Sequence, residues 1–327
     1  MTLSILLIVL GLGLLVGGGE CLLRGAVGLA TLAKLTPAVI GLTVVAAGTS
    51  VPELAVSAVA AFQGKVDITV GNVVGSNIFN IAFILGLTAL IRPLVIHGNT
   101  IRLEYPVLAV VTLLCVAICD HGAIHRMDAV LFLVIYVLFI AYMVRLVRQQ
   151  LSAGETKQLE AEAKSLGAKS LEDRPSQTPS LLLSVALVVA GVLLLTGGAH
   201  STVTGAVEVG RFFGLSERVI GLTIVAAGTG LPEVVTSLVS SIRGRDDVAI
   251  GNVIGSNLFN ILGILGINGL IAPLPISSGI ANGDNWWMLG VTALLFPLMF
   301  TGMKINRREG LGLLAVYVVY IAQLLYR

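Results

Sequence analysis

The segment IGLTVVAAGTSVPE at positions 40–53 returns 180 residues later as IGLTIVAAGTGLPE at 220–233, and GNVVGSNIFN at 71–80 returns as GNVIGSNLFN at 251–260. Weaker matches keep the same offset: Gly17-Gly18 pairs with Gly197-Gly198, and Gly25-Ala26-Val27 with Gly205-Ala206-Val207. The chain is two copies of one unit, so any fold assigned to one copy has to accommodate its twin. Each copy also carries a glutamate, Glu53 or Glu233, set inside apolar sequence.

The apolar surroundings decide the solvent. Of the 327 residues 56% are hydrophobic and 12% charged, with a mean hydropathy of +0.97, whereas a soluble domain has about a quarter of its residues charged. Apolar runs long enough to cross a bilayer as helices are predicted at about 3–23, 38–61, 69–90, 105–119, 127–147, 180–203, 218–241, 248–270, 286–302 and 309–326. Continuous apolar character excludes a porin-like barrel, whose strands alternate over about ten residues. Fifteen of the 20 basic residues fall in the loops on one side of such a ten-span chain. Basic residues favour the cytoplasmic face, which places both termini outside. The first run lacks a charged leader and a small-residue cleavage site and reads as a retained span. Cys21, Cys115 and Cys119 lie in or beside apolar runs and read as packed thiols.

Ten spans divide into five per copy, and because five is odd the second copy enters the membrane from the opposite face. The expected fold class is an all-α integral membrane protein of about ten transmembrane helices, built as two inverted-topology repeats of five with broken helices at a central ion site. The first repeat covers 1–147, a polar cytoplasmic linker 148–178, and the second repeat 179–327; the linker is rich in Glu, Lys and Gln, with 11 of the chain's 23, and is too short for a regulatory domain of ordinary size. Inverted repeats place a site at their interface near the bilayer midplane, which makes alternating access the expected mechanism.

An ionisable group inside a span costs about 3 kcal/mol or more and is by default a functional candidate. Pro52 and Pro232 lack the helix N–H, and with Gly48 and Gly228 they predict a break that frees carbonyls around the acids. Ala46, Thr49 and Glu53 share one helix face, as do Ala226, Thr229 and Glu233. In the following span Asn72, Ser76 and Asn80 recur every four residues, as do Asn252, Ser256 and Asn260. The donors are all oxygens, which suits sodium and calcium and not zinc or copper. Two ionised glutamates match the charge of one calcium ion; magnesium keeps its water and would need a roomier site.

Other features have plainer readings. Gly71 with Gly75, and Gly251 with Gly255, form the small-xxx-small pattern of close helix packing. Asn72, Asn77, Asn252 and Asn257 are either ligands or cross-helix hydrogen bonders. The glycine-rich strings lack the lysine of a phosphate loop. Glu20 and Arg24 are spaced to pair on one helix, His97, His121, His125 and His200 form no metal-ligand spacing, and Trp286 and Trp287 read as interface anchors.

GTSVPE and GTGLPE, each followed by a GSN-containing helix start, resemble the paired α-repeats of the cation/calcium exchanger superfamily, closest to its prokaryotic sodium/calcium branch. The resemblance covers nearly the whole chain except the linker. It implies two central broken-helix pairs clasped by two long sliding helices, the first and sixth spans. It assigns ion ligation to Glu53 and Glu233, to Thr49 and Thr229 with the carbonyls of Ala46 and Ala226, and to Ser50, Ser76, Asn80, Ser256 and Asn260. Two departures stand out: Gly230 replaces the hydroxyl that Ser50 supplies in the other copy, and Asn260 stands where some members have aspartate.

The expectation is a secondary antiporter, not an enzyme, that exchanges sodium for calcium. Proton/calcium members resemble a GNAAE-type pattern instead, and proton coupling is the alternative, followed by a cation channel. Calcium and sodium are expected as transported substrates and the lipid bilayer as the surroundings, with no cofactor, nucleic acid or obligate protein partner. The expected location is a prokaryotic inner membrane.

Overall fold

The computed structural model describes residues 2–64, 66–98, 100–150, 180–214 and 226–326. The linker expected at 148–178 lies outside the described residues from 151 onward, as does the opening of the seventh expected span at 218–225.

The first helix, α1 (Thr2–Ala33), and the sixth, α6 (Leu181–Phe212), are 32 residues each. Both are longer than the 3–23 and 180–203 expected from hydropathy. Apolar character stops at Glu20 and Arg24, but helix does not: the two side chains pair at 2.8 Å along α1. At 1.5 Å per residue each helix is about 48 Å long, well over the roughly 30 Å of hydrocarbon it has to cross.

α1 and α6 run antiparallel with their backbones in contact. Gly11, Gly18 and Gly25 are seven residues apart and fall on one face of α1, and their repeat mates Gly191, Gly198 and Gly205 do the same on α6. A Cβ at Gly18 would lie 2.8 Å from the Leu195 amide nitrogen, one at Gly191 2.6 Å from that of Leu22, and one at Gly205 2.4 Å from the Ser4 carbonyl oxygen. Without these glycines the seam would not close.

The second rod breaks where the prolines predicted. α2a comprises Pro37–Ile40, a π-helical turn at Gly41–Val45 and Ala46–Thr49; α2b is Val51–Phe62. The two parts are bent by 46° at Ser50, whose φ and ψ of −85° and 12° depart from helix. Gly230 has nearly the same angles, −82° and 2°, between α7a (Ala226–Thr229) and α7b (Leu231–Ile242). Pro52 and Pro232 sit in the first turn of α2b and α7b, where a missing N–H costs nothing.

The third and eighth rods form the centre. α3 runs Val66–Ile78, through a π-helical stretch Phe79–Leu85, to Gly86–Ile91, and α8 runs Asp246–Leu258, through Phe259–Ile264, to Leu265–Ile271. The apolar stretch of α8 is 94% buried and that of α3 67%, against 28% for α1 and 22% for α6. Around them stand α4 (Tyr105–Asp120), α5 (Arg126–Gln150), α9 (Asn285–Phe300) and α10 (Arg307–Tyr326). Close approach between α2a and α8 again rests on glycine: Gly251 and Gly255 face the backbone of Ala38 and Leu42, as the small-xxx-small spacing implied.

Two short antiparallel pairs tie the halves together, β1 (Leu94–Val95) with β4 (Lys304–Ile305) and β2 (Ala123–Ile124) with β3 (Leu274–Pro275). Among the described residues seven helices are long and apolar enough to cross a membrane, and the bent α2a–α2b pair is an eighth candidate. Leu3, Leu6 and Val9 on α1, Leu182 and Leu193 on α6, and Val134, Val137 and Leu138 on α5 are exposed, which suits contact with lipid chains.

Candidate functional site

The two helix breaks put the glutamates at fresh helix N-termini. Glu53 lies in the first turn of α2b and Glu233 in that of α7b, and they are 2% and 1% exposed. The helix dipole there favours negative charge. The two acids lie close enough for their charges to interact. Among the described residues neither forms an ion pair with a basic side chain.

Hydroxyl groups cross between the copies. Ser50 donates to Glu233 Oε1 at 3.0 Å, and Thr229 is hydrogen-bonded to Glu53. Oε2 of Glu53 and Oε2 of Glu233 are buried and have no hydrogen-bond partner among the described residues. Thr49 Oγ1 bonds the Ala46 carbonyl and Asn252 Oδ1, both at 3.2 Å, and Ser256 Oγ reaches the same carbonyl at 3.5 Å. Thr49 and Ser256 thus share the Ala46 carbonyl, while Ser50 and Thr229 each hold the glutamate of the opposite copy. Ser76 lies half-buried on α3, and Ala226 opens α7a.

The asparagines separate into two sets. Asn72 donates to Ser57 Oγ at 3.0 Å and to the Glu53 carbonyl at 3.3 Å, and Asn252 donates to Ser237 Oγ at 3.0 Å. They fasten the rods of each broken pair together, the cross-helix reading of the two left open by sequence. Asn80 and Asn260 lie in the π-helical stretches of α3 and α8, a widened backbone often found at functional sites. Asn80 Nδ2 donates to Asn257 Oδ1 at 2.9 Å and Asn260 Nδ2 to Asn77 Oδ1 at 3.0 Å, while Asn260 Oδ1 is buried without a partner among the described residues.

A family model for the sodium/calcium exchanger protein matches residues 3–145 and 183–326. The chain belongs to this family. Relatives of the sodium/calcium exchanger chain include the putative antiporter CaxA of Alkalimonas amylolytica, 39% identical over 98% of both chains, and the sodium/calcium exchanger MaX1 of Methanosarcina acetivorans, 28% identical over 99% of both. Among solved structures, the sodium-calcium exchanger NCX_Mj soaked with zero Na+ and Ca2+ superposes with a TM-score of 0.81 at 30% identity, covering 99% of each chain. The protein is an integral membrane protein of an antiporter family, not an enzyme.

Within this exchanger fold the side residues take structural places. Among the described residues no three of His, Cys, Asp and Glu converge on a metal-holding point. His121 Nδ1 sits 2.8 Å from the Ala117 carbonyl, and Asp128 accepts the His125 backbone N–H at 2.8 Å, capping α5. Cys21, Cys115 and Cys119 are free thiols. Glu20 bonds Arg243 at 3.1 Å as well as Arg24, so it joins α1 to the end of α7b. Trp287 donates to Gln323 at 2.9 Å and Trp286 is exposed.

Two site features escaped the sequence. Phe79 fills the space beside Gly230, where a Cβ would lie 2.5 Å from its Cε1, so the hydroxyl missing from the second copy is replaced by a ring. Asn77 and Asn257 bond each other's backbone as well as the amides of Asn260 and Asn80. The GSN repeat marked these asparagines without distinguishing a ligand from a brace.

Proposed function

We propose that the protein exchanges sodium for calcium by alternating access, with Glu53 and Glu233 as the charged ligands of one shared site. The observation that carries this reading is the pair of buried carboxylates at broken-helix N-termini, each with an unpartnered oxygen and neither paired with a base. Such a pair leaves two negative charges in a low-dielectric interior, which a bound cation has to neutralise before the protein moves. One calcium ion does so directly. Sodium ions do so in pairs, with Thr49, Thr229, Ser50, Ser76, Asn80, Ser256, Asn260 and the carbonyls of Ala46 and Ala226 as the neutral oxygens of the site.

The ten rods are read as ten spans in two inverted repeats of five, residues 1–147 and 179–327, joined by a cytoplasmic linker in the inner membrane of a prokaryote with both termini outside. The offset of 180 supports the repeats: it carries β1 onto β3 and Ser50 onto Gly230. α1 and α6 are read as the sliding pair. Gly19 of α1 packs against Val235 and Val239 of α7b, and the Glu20–Arg243 ion pair lies at the same end. We read this as closure of the cytoplasmic side. Sodium coupling is preferred over proton coupling on the GTSVPE and GTGLPE motifs and on the relatives named as sodium/calcium exchangers.

The test is calcium uptake by vesicles carrying the purified protein. Uptake of radioactive calcium driven by an outward sodium gradient, and not by a proton gradient, is expected. Drive by protons alone would replace sodium with hydrogen ion, and calcium currents without a counter-ion would make the protein a channel.

A further inference from the structure

The reciprocal bonds of Asn77 and Asn257 have a fixed polarity. A backbone carbonyl can only accept. Asn77 Nδ2 lies 3.4 Å from the Asn257 carbonyl oxygen, with Met288 Sδ at 3.6 Å as a second weak acceptor. The nitrogen of the Asn77 amide is thus held on that side and its oxygen on the other, where it accepts from Asn260 Nδ2 at 3.0 Å. Asn260 is left with its nitrogen turned toward Asn77 and its oxygen, buried and unpartnered, turned away. The mirror chain is complete: Asn257 Nδ2 donates to the Asn77 carbonyl at 3.3 Å, and Asn257 Oδ1 accepts from Asn80 Nδ2 at 2.9 Å.

We propose that Asn77 and Asn257 are positioning residues that set the amide orientation of Asn260 and Asn80, so that these two present oxygen and not nitrogen to the cation. The need is chemical. An asparagine amide turned by half a revolution offers N–H donors to a cation, which repel it, and nothing in the side chain's shape prevents the turn. The orientation is instead set by main-chain carbonyls of the opposite copy. Asn77 is 1% and Asn257 0% exposed, so water does not compete for these bonds. Each copy thereby orients the ligand of the other, and the two halves of the site are coupled through four amides.

This inference rests on the calcium site proposed above. It is tested by equilibrium binding of radioactive calcium to the purified full-length protein, with Asn77→Leu made in two backgrounds. In the wild-type background, loss of the acceptor frees the Asn260 amide to turn, and calcium affinity falls about tenfold or more. In an Asn260→Asp background both side-chain oxygens are acceptors and no orientation is required, so Asn77→Leu changes affinity less than about threefold. A purely structural role would produce the same loss in both backgrounds, and that result overturns the positioning role alone. Should Asn77→Leu fail to fold, the mirror pair serves, since Asn80 donates to Asn257 Oδ1 at 2.9 Å: Asn257→Leu is expected to lower calcium affinity about tenfold in the wild-type background and less than about threefold in an Asn80→Asp background, and an equal loss in both overturns the proposal. If the wild-type protein binds no calcium, the exchange reading falls, and this inference with it.

Discussion

Gly230 is the position at which the two copies of the site differ most plainly, and Gly230→Ser tests why. A Cβ built there would stand 2.5 Å from Phe79 Cε1 and 2.9 Å from Cδ1. Ordinary contact begins near 3.4 Å, so the ring has to retreat by about 0.9 Å, a shift that forfeits a quarter or more of the dispersion well for each displaced contact. Phe79 is not free to move: it stacks on Phe83 at a centroid distance of 4.7 Å and meets Tyr317 edge-on at 5.5 Å. Overpacking of this kind costs about 1–3 kcal/mol. Because Gly230 is the hinge between α7a and the helix that carries Glu233, the push reaches the ion site, and a fully transmitted cost weakens calcium affinity by about 5- to 150-fold. The assay is the calcium concentration at half-maximal sodium-driven uptake, read beside the thermal melting temperature. In the double variant Gly230→Ser with Phe79→Leu, the clash is removed and the new hydroxyl has room to meet Glu53, as Ser50 meets Glu233; affinity returns to within about threefold of wild type. A Gly230→Ser protein with unchanged affinity and stability while Phe79 is in place would refute the reasoning.

Further outcomes follow from the same contacts. Gly198→Ala places a Cβ 2.8 Å from the Gly11 carbonyl oxygen and the Leu15 amide nitrogen, whereas Gly197→Ala meets nothing within 4 Å; the stability of the purified protein, followed by thermal melting, is expected to fall for the first by about 1–3 kcal/mol and to hold or rise for the second. Ser50→Ala removes the 3.0 Å bond to Glu233, a hydrogen bond to a charged group worth about 1.5–3 kcal/mol, so stability of the ion-free protein read by thermal melting is expected to fall by about that much, and calcium binding to weaken as the site loses a neutral oxygen. Arg243→Gln breaks the 3.1 Å tie to Glu20 and is expected to raise cysteine accessibility at the end of α7b, measured by labelling of an Arg245→Cys probe.

The repeat made much of this site legible. Identity at an offset of 180 singled out Glu53 and Glu233 as partners, and Pro52 and Pro232 located the breaks because a missing N–H is a local property of the chain. Glycine spacing announced the approach of α2a to α8, since a backbone contact needs a missing Cβ wherever it occurs. The rest depends on contacts between distant residues. Nothing near Gly230 in the sequence says that Phe79 occupies its side-chain space, and the GSN pattern assigns Asn257 and Asn260 the same chemistry. Only the carbonyl facing each amide makes one a brace and leaves the other's oxygen free. The ends of α1 were misplaced for another reason: hydropathy falls at Glu20 and Arg24, but a salt-bridged i,i+4 pair is compatible with uninterrupted helix.

The central claim is that two buried glutamates share one calcium ion that sodium displaces. Its most direct test is a titration of bound radioactive calcium with sodium on purified wild type, Glu53→Gln and Glu233→Gln. The account predicts one calcium per wild-type chain, released by sodium with a Hill coefficient above one, and loss of high-affinity binding in each variant. Calcium held with unchanged stoichiometry and affinity by both variants would contradict it.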